Sequence, residues 1–295
     1  MRIFVTGATG FIGSAVTQEL IASGHQIIGL CRSADKAAAL KSLGAEALAG
    51  SLADAEVLKG AIARADGVIH LGFNHDFSTY QQNCEDDRAV IGLMGSYLAG
   101  SNRPLVVTSG AAMTSSGPGQ LALEDGNVIS SALVPRAASE EAAANAATQG
   151  VPVSVVRLPQ VHDTQKQGFV SYLIELARSK GYCAYIGEGQ NRWSAAHILD
   201  VARLYRLAVE KAAPDAKYHA VAEEGVKLKD IAEAIGHRLA LPVRSITPEE
   251  AAAYYGWLAF FAGGDVPSSS AQTRKALGWT PTGPGLIEDL RNLSA

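Results

Sequence analysis

The chain of 295 residues is long enough for one large domain or two smaller ones sharing a core. Hydrophobic residues make up 47% and charged residues 18%, and the net charge is −4, so neither nucleic acid nor an anionic membrane is expected as a partner. No apolar run approaches the roughly eighteen residues of a membrane span, and the first residues enter a strand pattern with no basic stretch or apolar signal core, so a cytoplasmic protein is expected.

The β-branched and aromatic residues 3–5 read as a strand buried on both faces, and Phe11, Ile12, Ala15, Val16, Leu20 and Ile21 recur with a helical period. Between them lie Gly7, Gly10 and Gly13 at three-residue spacing. Such glycines give a tight turn, let backbone approach a pyrophosphate, and allow helix and strand to pack closely. The helix N-terminus then offers unpaired N–H groups to an anion. A dinucleotide site is therefore expected here. Residues 26–31 form a second buried strand ending at Arg32, Ser33 and, one turn into the next helix, Lys36. An acid at this place would bond the ribose 2′-hydroxyl of NAD, whereas a guanidinium, a hydroxyl and an ammonium complement a 2′-phosphate. The pattern favours NADP(H).

A helix over 34–43 and a strand over 45–49 precede the loop 50–54, where Leu52 offers the adenine an apolar edge and Asp54 is a helix N-cap candidate. Residues 67–73 read as a fourth strand whose end makes Leu71, Gly72 and Phe73 candidate walls of the cofactor crevice. The polar loop 74–82, with His75, Asp76, Ser78 and Tyr80, is a candidate active-site rim. A helix over 83–99, a strand over 104–110, a Ser/Gly/Pro-rich flap over 114–127, a helix from Pro135 to residue 148 and a strand over 151–158 complete the alternation. Strand–helix alternation at this spacing predicts an α/β, Rossmann-type doubly wound parallel sheet.

The pattern then changes to helices at 168–179, 198–210, 228–239, 248–261 and 271–277 and short strands at 182–186 and 217–221. The expected division is a nucleotide-binding domain over 1–160, with 194–212 packing back onto it, and a smaller mixed α/β substrate lobe from 161–193 and 213–295. Cys31, Cys84 and Cys183 lie in apolar segments and are expected as buried thiols. The histidines lack ligand spacing, so no metal site is expected.

With Thr6-Gly-Ala-Thr-Gly-Phe-Ile-Gly13, Val68-Ile-His-Leu71, Val106-Val-Thr-Ser109, Val156-Arg-Leu-Pro159, His197-Ile-Leu-Asp200 and Leu277-Gly-Trp279, the chain resembles the extended and atypical short-chain dehydrogenase/reductases, including the NAD-dependent epimerase/dehydratase-like proteins. The resemblance implies cofactor contacts from Gly7, Thr9, Gly10, Phe11, Ile12, Arg32, Leu52, Leu71, Phe73 and Thr108, with Pro159 and Val161 beside the nicotinamide. That group uses Tyr-x-x-x-Lys to exchange a proton with substrate. Here the two positions fall on Arg136 and Glu140, and Tyr-x-x-x-Lys occurs nowhere. Arginine stays protonated near neutrality, so Arg136 is expected either to hold an anion or to pair with Glu140 one helical turn away. Candidate proton donors are then His75, Tyr80, Ser109 and His162, the last followed by Asp163, while His197 and Asp200 are expected to be structural. Trp193, Tyr172 and Phe169 are candidates for lining a substrate pocket.

The leading expectation is an NADP(H)-dependent oxidoreductase acting on a small-molecule carbonyl or polarised double bond with non-standard acid catalysis. The alternative is an NADP(H)-binding redox sensor without turnover, as in the NmrA-like relatives. Sugar-nucleotide epimerisation or dehydration stands third because it depends most on the missing tyrosine. A monomer or a homodimer through helices 83–99 and 135–148 fits the sequence equally.

Overall fold

Runs as apolar as Ile3–Val5 and Leu105–Val107 must be covered on both faces, and a computed structural model of the chain, describing residues 1–114 and 119–294, covers them with two helical layers. The first half runs β1 (Arg2–Thr6), α1 (Phe11–Ala22), β2 (Gln26–Cys31), α2 (Ala34–Ser42), β3 (Glu46–Ala49), α3 (Ala55–Ala63), β4 (Gly67–His70), α4 (Tyr80–Leu98), β5 (Leu105–Gly110), α5 (Ala138–Thr148) and β6 (Val153–Leu158). The second half runs β7 (Gln160–His162), α6 (Val170–Lys180), β8 (Cys183–Ile186), β9 (Arg192–His197), α7 (Ile198–Lys211), β10 (Ala216–His219), β11 (Glu223–Lys227), α8 (Leu228–Leu239), β12 (Val243–Ile246), α9 (Pro248–Tyr255), α10 (Ala259–Gly263), α11 (Ala271–Leu277) and α12 (Leu286–Arg291).

Seven parallel strands in the order β10-β6-β5-β4-β1-β2-β3 form the central sheet. Side-chain alternation divides the core in two: Ile3 and Val5 pack under α1, α2 and α7, whereas Phe4, Val68, Leu105 and Val107 pack under α3, α4 and α5. The strand order reverses between β1 and β4, which opens a crevice at their carboxyl ends. A second sheet, β11-β9-β7, and the parallel pair β12-β8 carry the smaller lobe, whose own core gathers α6, α8, α9, α10 and α12.

Several sequence expectations are corrected. The lobe does not resume at 213, because β10 pairs with β6 as the edge of the main sheet. β12 and α12 were not anticipated; each is short and lacks a long periodic signal. The fourth strand ends at His70, and the helix expected over 248–261 breaks at Gly256, whose φ is +58°. Asp54 does not cap α3 with its side chain; its carboxylate accepts from the Ser51 N–H at 2.6 Å and the Ser51 hydroxyl at 2.9 Å. Residues 115–118 of the expected flap lie outside the described residues, and the rest is anchored, with Ala122 bridging Ser268 and Glu124 buried against Thr273. Trp193 is buried in the lobe core and donates to the Phe261 carbonyl, so it lines no open pocket.

The cysteines are buried free thiols. Among the described residues no helix is long and apolar enough to cross a membrane, and no three His, Cys, Asp or Glu side chains converge as a metal site.

Candidate active site

The turn between β1 and α1 needs all three glycines for different reasons. Gly7 sits at φ +65°, and a Cβ there would lie 2.8 Å from Leu71 and Gly72 backbone, so the turn presses on the end of β4. A Cβ on Gly13 would meet the Gly7 carbonyl at 1.9 Å. At Gly10 it would meet only that carbonyl, at 3.2 Å, leaving open space in front of the N-terminus of α1. The cradle a pyrophosphate requires is therefore present. Thr9, Phe11 and Ile12 are half-buried beside it, and Leu52 packs against Gly72. Arg32, Ser33 and Lys36 are exposed at the end of β2, where Ser33 also caps α2 by accepting from the Lys36 N–H. Pro159 is half-buried after β6, but Val161 is turned into the core. The Thr108 hydroxyl is committed, donating to the His70 carbonyl at 2.7 Å and meeting the Tyr205 hydroxyl at 2.8 Å.

Near the ends of β4 and β5, Arg136 and Glu140 do not pair with each other. Arg136 Nη1 reaches Asp87 Oδ2 at 2.9 Å, Nη2 donates to the Thr108 carbonyl at 3.0 Å, and the guanidinium lies 4.3 Å over the Phe73 ring. Asp87 also accepts from Ser139 and, at 2.9 Å, meets His70 Nε2, while His70 Nδ1 meets Thr6 Oγ1 at 2.7 Å. Burial alone would raise the Asp87 carboxyl, but the His70 contact and then Arg136 outweigh it and hold the pKa at about 2. Glu140 instead clamps Arg157, accepting from Nε and Nη2 at 2.8 Å each. Arg157 is fully buried and continues to His219 Nε2 and the Glu124 carbonyl. The expected Arg136–Glu140 pair is thus replaced by two separate networks.

Those networks sort the proton-donor candidates. Ser109 is buried and donates to Glu140 at 2.7 Å, so its hydroxyl is occupied. His162 is fully buried, and its Nδ1 pairs with Asp289 at 2.6 Å rather than with Asp163, because successive strand residues face opposite ways. Burial, chiefly, lowers the His162 pKa despite that partner. Tyr80 is half-buried; burial, then the neighbouring Cys84, pushes its phenol up to about 12, the opposite of what an acid catalyst needs. His75 keeps exposed surface and packs edge-on to Phe73 at 5.2 Å. Crowding by protein first, then the charges of Arg136 and Lys166, lowers its pKa.

Beyond Phe73 the crevice is aromatic. Phe73 leads to Tyr80 (6.4 Å), Tyr80 to Phe77 (5.6 Å), and Phe77 stacks on Trp257 (4.6 Å, 21°), with Phe169 and Tyr172 alongside. From the other side Lys166 extends over the Phe11 ring at 5.7 Å and forms no ion pair among the described residues. Sequence reasoning missed Asp87, His70, Lys166, Phe77 and Trp257. Asp87 carried a signal: it occupies the line Asn83, Asp87, Ile91, Met94, Leu98 that the helical period buries.

The family model described as the NAD dependent epimerase/dehydratase family matches residues 3–222. The chain is 46% identical over 291 residues, 98% of each chain, to a protein of Schizosaccharomyces pombe named uncharacterized protein C2A9.02. It is 29% identical over 229 residues, 73% of this chain and 67% of the other, to the 2-alkyl-3-oxoalkanoate reductase of Stenotrophomonas maltophilia. The Thermus thermophilus UDP-glucose 4-epimerase, solved with NAD, superposes with a TM-score of 0.75 at 18% identity, covering 99% of this chain and 97% of that one.

Proposed function

Because the chain belongs to the NAD dependent epimerase/dehydratase family, we propose that it is an NADP(H)-dependent oxidoreductase that reduces a carbonyl or another polarised double bond of a small molecule. The observation that carries this reading is the convergence of the three-glycine cradle with Arg136 and Phe73 at the same sheet edge. The name of the Stenotrophomonas maltophilia relative, a reductase of an oxo compound, supports the same chemistry.

Arg32 and Lys36 outnumber Asp35 at the end of β2 and would hold the 2′-phosphate, which favours NADP(H) over NAD(H). Lys166, lacking an acidic partner, would face the pyrophosphate across Phe11. When bound, the reduced nicotinamide supplies hydride, two electrons and a proton's mass, to the carbonyl carbon. Arg136 keeps N–H donors that Asp87 and Thr108 do not use, and one of these would hold the carbonyl oxygen as negative charge develops on it. His75, the donor candidate with exposed surface on the rim, would deliver the proton that completes the alcohol.

The absence of Tyr-x-x-x-Lys supports a second reading, an NADP(H)-binding sensor without turnover. One assay separates the two. Purified protein is supplied with NADPH and a panel of ketones, aldehydes and enones, and oxidation of NADPH that falls at least tenfold in Arg136→Ala is expected. NADPH binding without oxidation of any panel member supports the sensor.

A further inference from the structure

The charge balance around Arg136 bears on which substrates fit. Asp87 Oδ2 accepts from Arg136 at 2.9 Å, and Asp87 is itself buried, so the guanidinium enters the crevice already neutralised. His70 carries the network inward: Thr6 Oγ1 accepts the Gly72 N–H at 3.1 Å and meets His70 Nδ1 at 2.7 Å, while His70 Nε2 meets Asp87 Oδ1 at 2.9 Å. A carboxylate placed against Arg136 would meet a compensated cation and the Asp87 charge behind it, in surroundings of low dielectric. A carbonyl oxygen needs only a hydrogen-bond donor.

The wall leading away from Arg136 is aromatic. Phe73 lies under the guanidinium, Tyr80 and Phe77 continue outward, and the Phe77–Trp257 stack spans from the β4–α4 loop to the smaller lobe. Trp257 is 49% exposed and Phe260 beyond it 80%, so the outer rings keep open faces in a chain whose other tryptophans are buried. Such faces reward a flat apolar body, and Phe73 and Phe77 offer a diphosphate neither charge nor donor.

Resting on the carbonyl-reductase reading above, we infer that the substrate is an uncharged carbonyl compound with a planar apolar body, its oxygen at Arg136 and its body along Phe73, Phe77 and Trp257. Carboxylated oxo acids and nucleotide sugars are the disfavoured classes.

The test compares 1-phenyl-1,2-propanedione with phenylglyoxylate, which keeps the aryl ketone but adds a carboxylate, and with UDP-glucose. Binding is read as tryptophan quenching in the NADP⁺-loaded protein, and turnover as NADPH oxidation. The dione should quench Trp257 and exceed phenylglyoxylate at least about tenfold in kcat/KM. Trp257→Ala should raise KM for the dione about fivefold with little change in kcat, and Trp257→Phe should restore it, which also controls for folding. Preference for phenylglyoxylate, tight UDP-glucose binding, or an unchanged KM in Trp257→Ala would overturn the inference while leaving the reductase reading intact. If NADPH binds but no probe is reduced, absence of dione quenching overturns it. Failure of folded protein to bind NADPH at all would instead remove the reductase reading.

Discussion

Removing the Asp87 carboxylate would leave Arg136, Ser139 and His70 without their shared acceptor in a buried setting. Asp87→Asn should therefore cost about 3 to 5 kcal/mol of stability, measured by chemical denaturation, because a buried charge loses its partner. The pH dependence has a definite sign. The folded Asp87 pKa of about 2 lies below the unfolded value of about 3.9, so its contribution is complete above pH 4 and is lost as the pH falls toward 2. His162 and His219 are lowered mainly by burial. They keep the fold stable above about pH 6.5 and begin to weaken it as the medium becomes more acidic. Thermal midpoints should thus fall in two stages, and only the lower stage should shrink in Asp87→Asn, the remainder coming from other carboxylates held low, such as Glu46, Glu141 and Asp265. In the proposed reduction His75 has the same direction: with its pKa below the ordinary value, its acid form accumulates only under mildly acidic conditions. NADPH oxidation should rise as the pH drops through that range, and His75→Asn should flatten the profile. The absence of Tyr-x-x-x-Lys was legible at this scale, but the partners of Arg136 and Glu140 were not. Asp87 and Arg157 lie far away in sequence, and only the folded chain brings them to Arg136 and Glu140.

Elements with long periodic patterns were legible to within a few residues, because α1, α4, α7 and α8 each show a face of apolar side chains. Three- to six-residue pieces such as β7, β12 and α12 were not, since their pairing is set by tertiary neighbours. The close packing of α4 on α5 illustrates what sequence hides. A Cβ on Gly95 would stand 2.7 Å from the Ala146 Cβ, whereas Gly92 on the same helix has nothing within 4 Å. Gly95→Val should cost about 1 to 3 kcal/mol by forcing the helices apart. Gly92→Ala should gain roughly 0.5 to 1 kcal/mol from helix propensity alone. Equal effects at the two positions in urea unfolding would contradict this packing.

At the scale of the molecule, the Rossmann half was readable from its glycine turn and strand–helix alternation, while the boundary of the smaller lobe was not. β10 returns to the main sheet, and Asp200 at the start of α7 accepts from the Thr282 and Gly283 N–H groups, tying the end of the chain to the nucleotide half. Phe77 on Trp257 makes a further tie across the crevice. These links predict that NADPH stabilises the chain as one unit: at a hundred times its Kd it should add about 2.7 kcal/mol and raise a single unfolding midpoint.

The central claim is that the glycine cradle and the basic end of β2 hold a phosphorylated pyridine dinucleotide. Fluorescence titration of NADPH and NADH into wild type and Arg32→Ala tests it most directly. Tighter binding of NADPH, with about a tenfold loss confined to NADPH in the variant, is the expected result. Binding of neither nucleotide by folded protein, or equal affinities unmoved by Arg32→Ala, would contradict it.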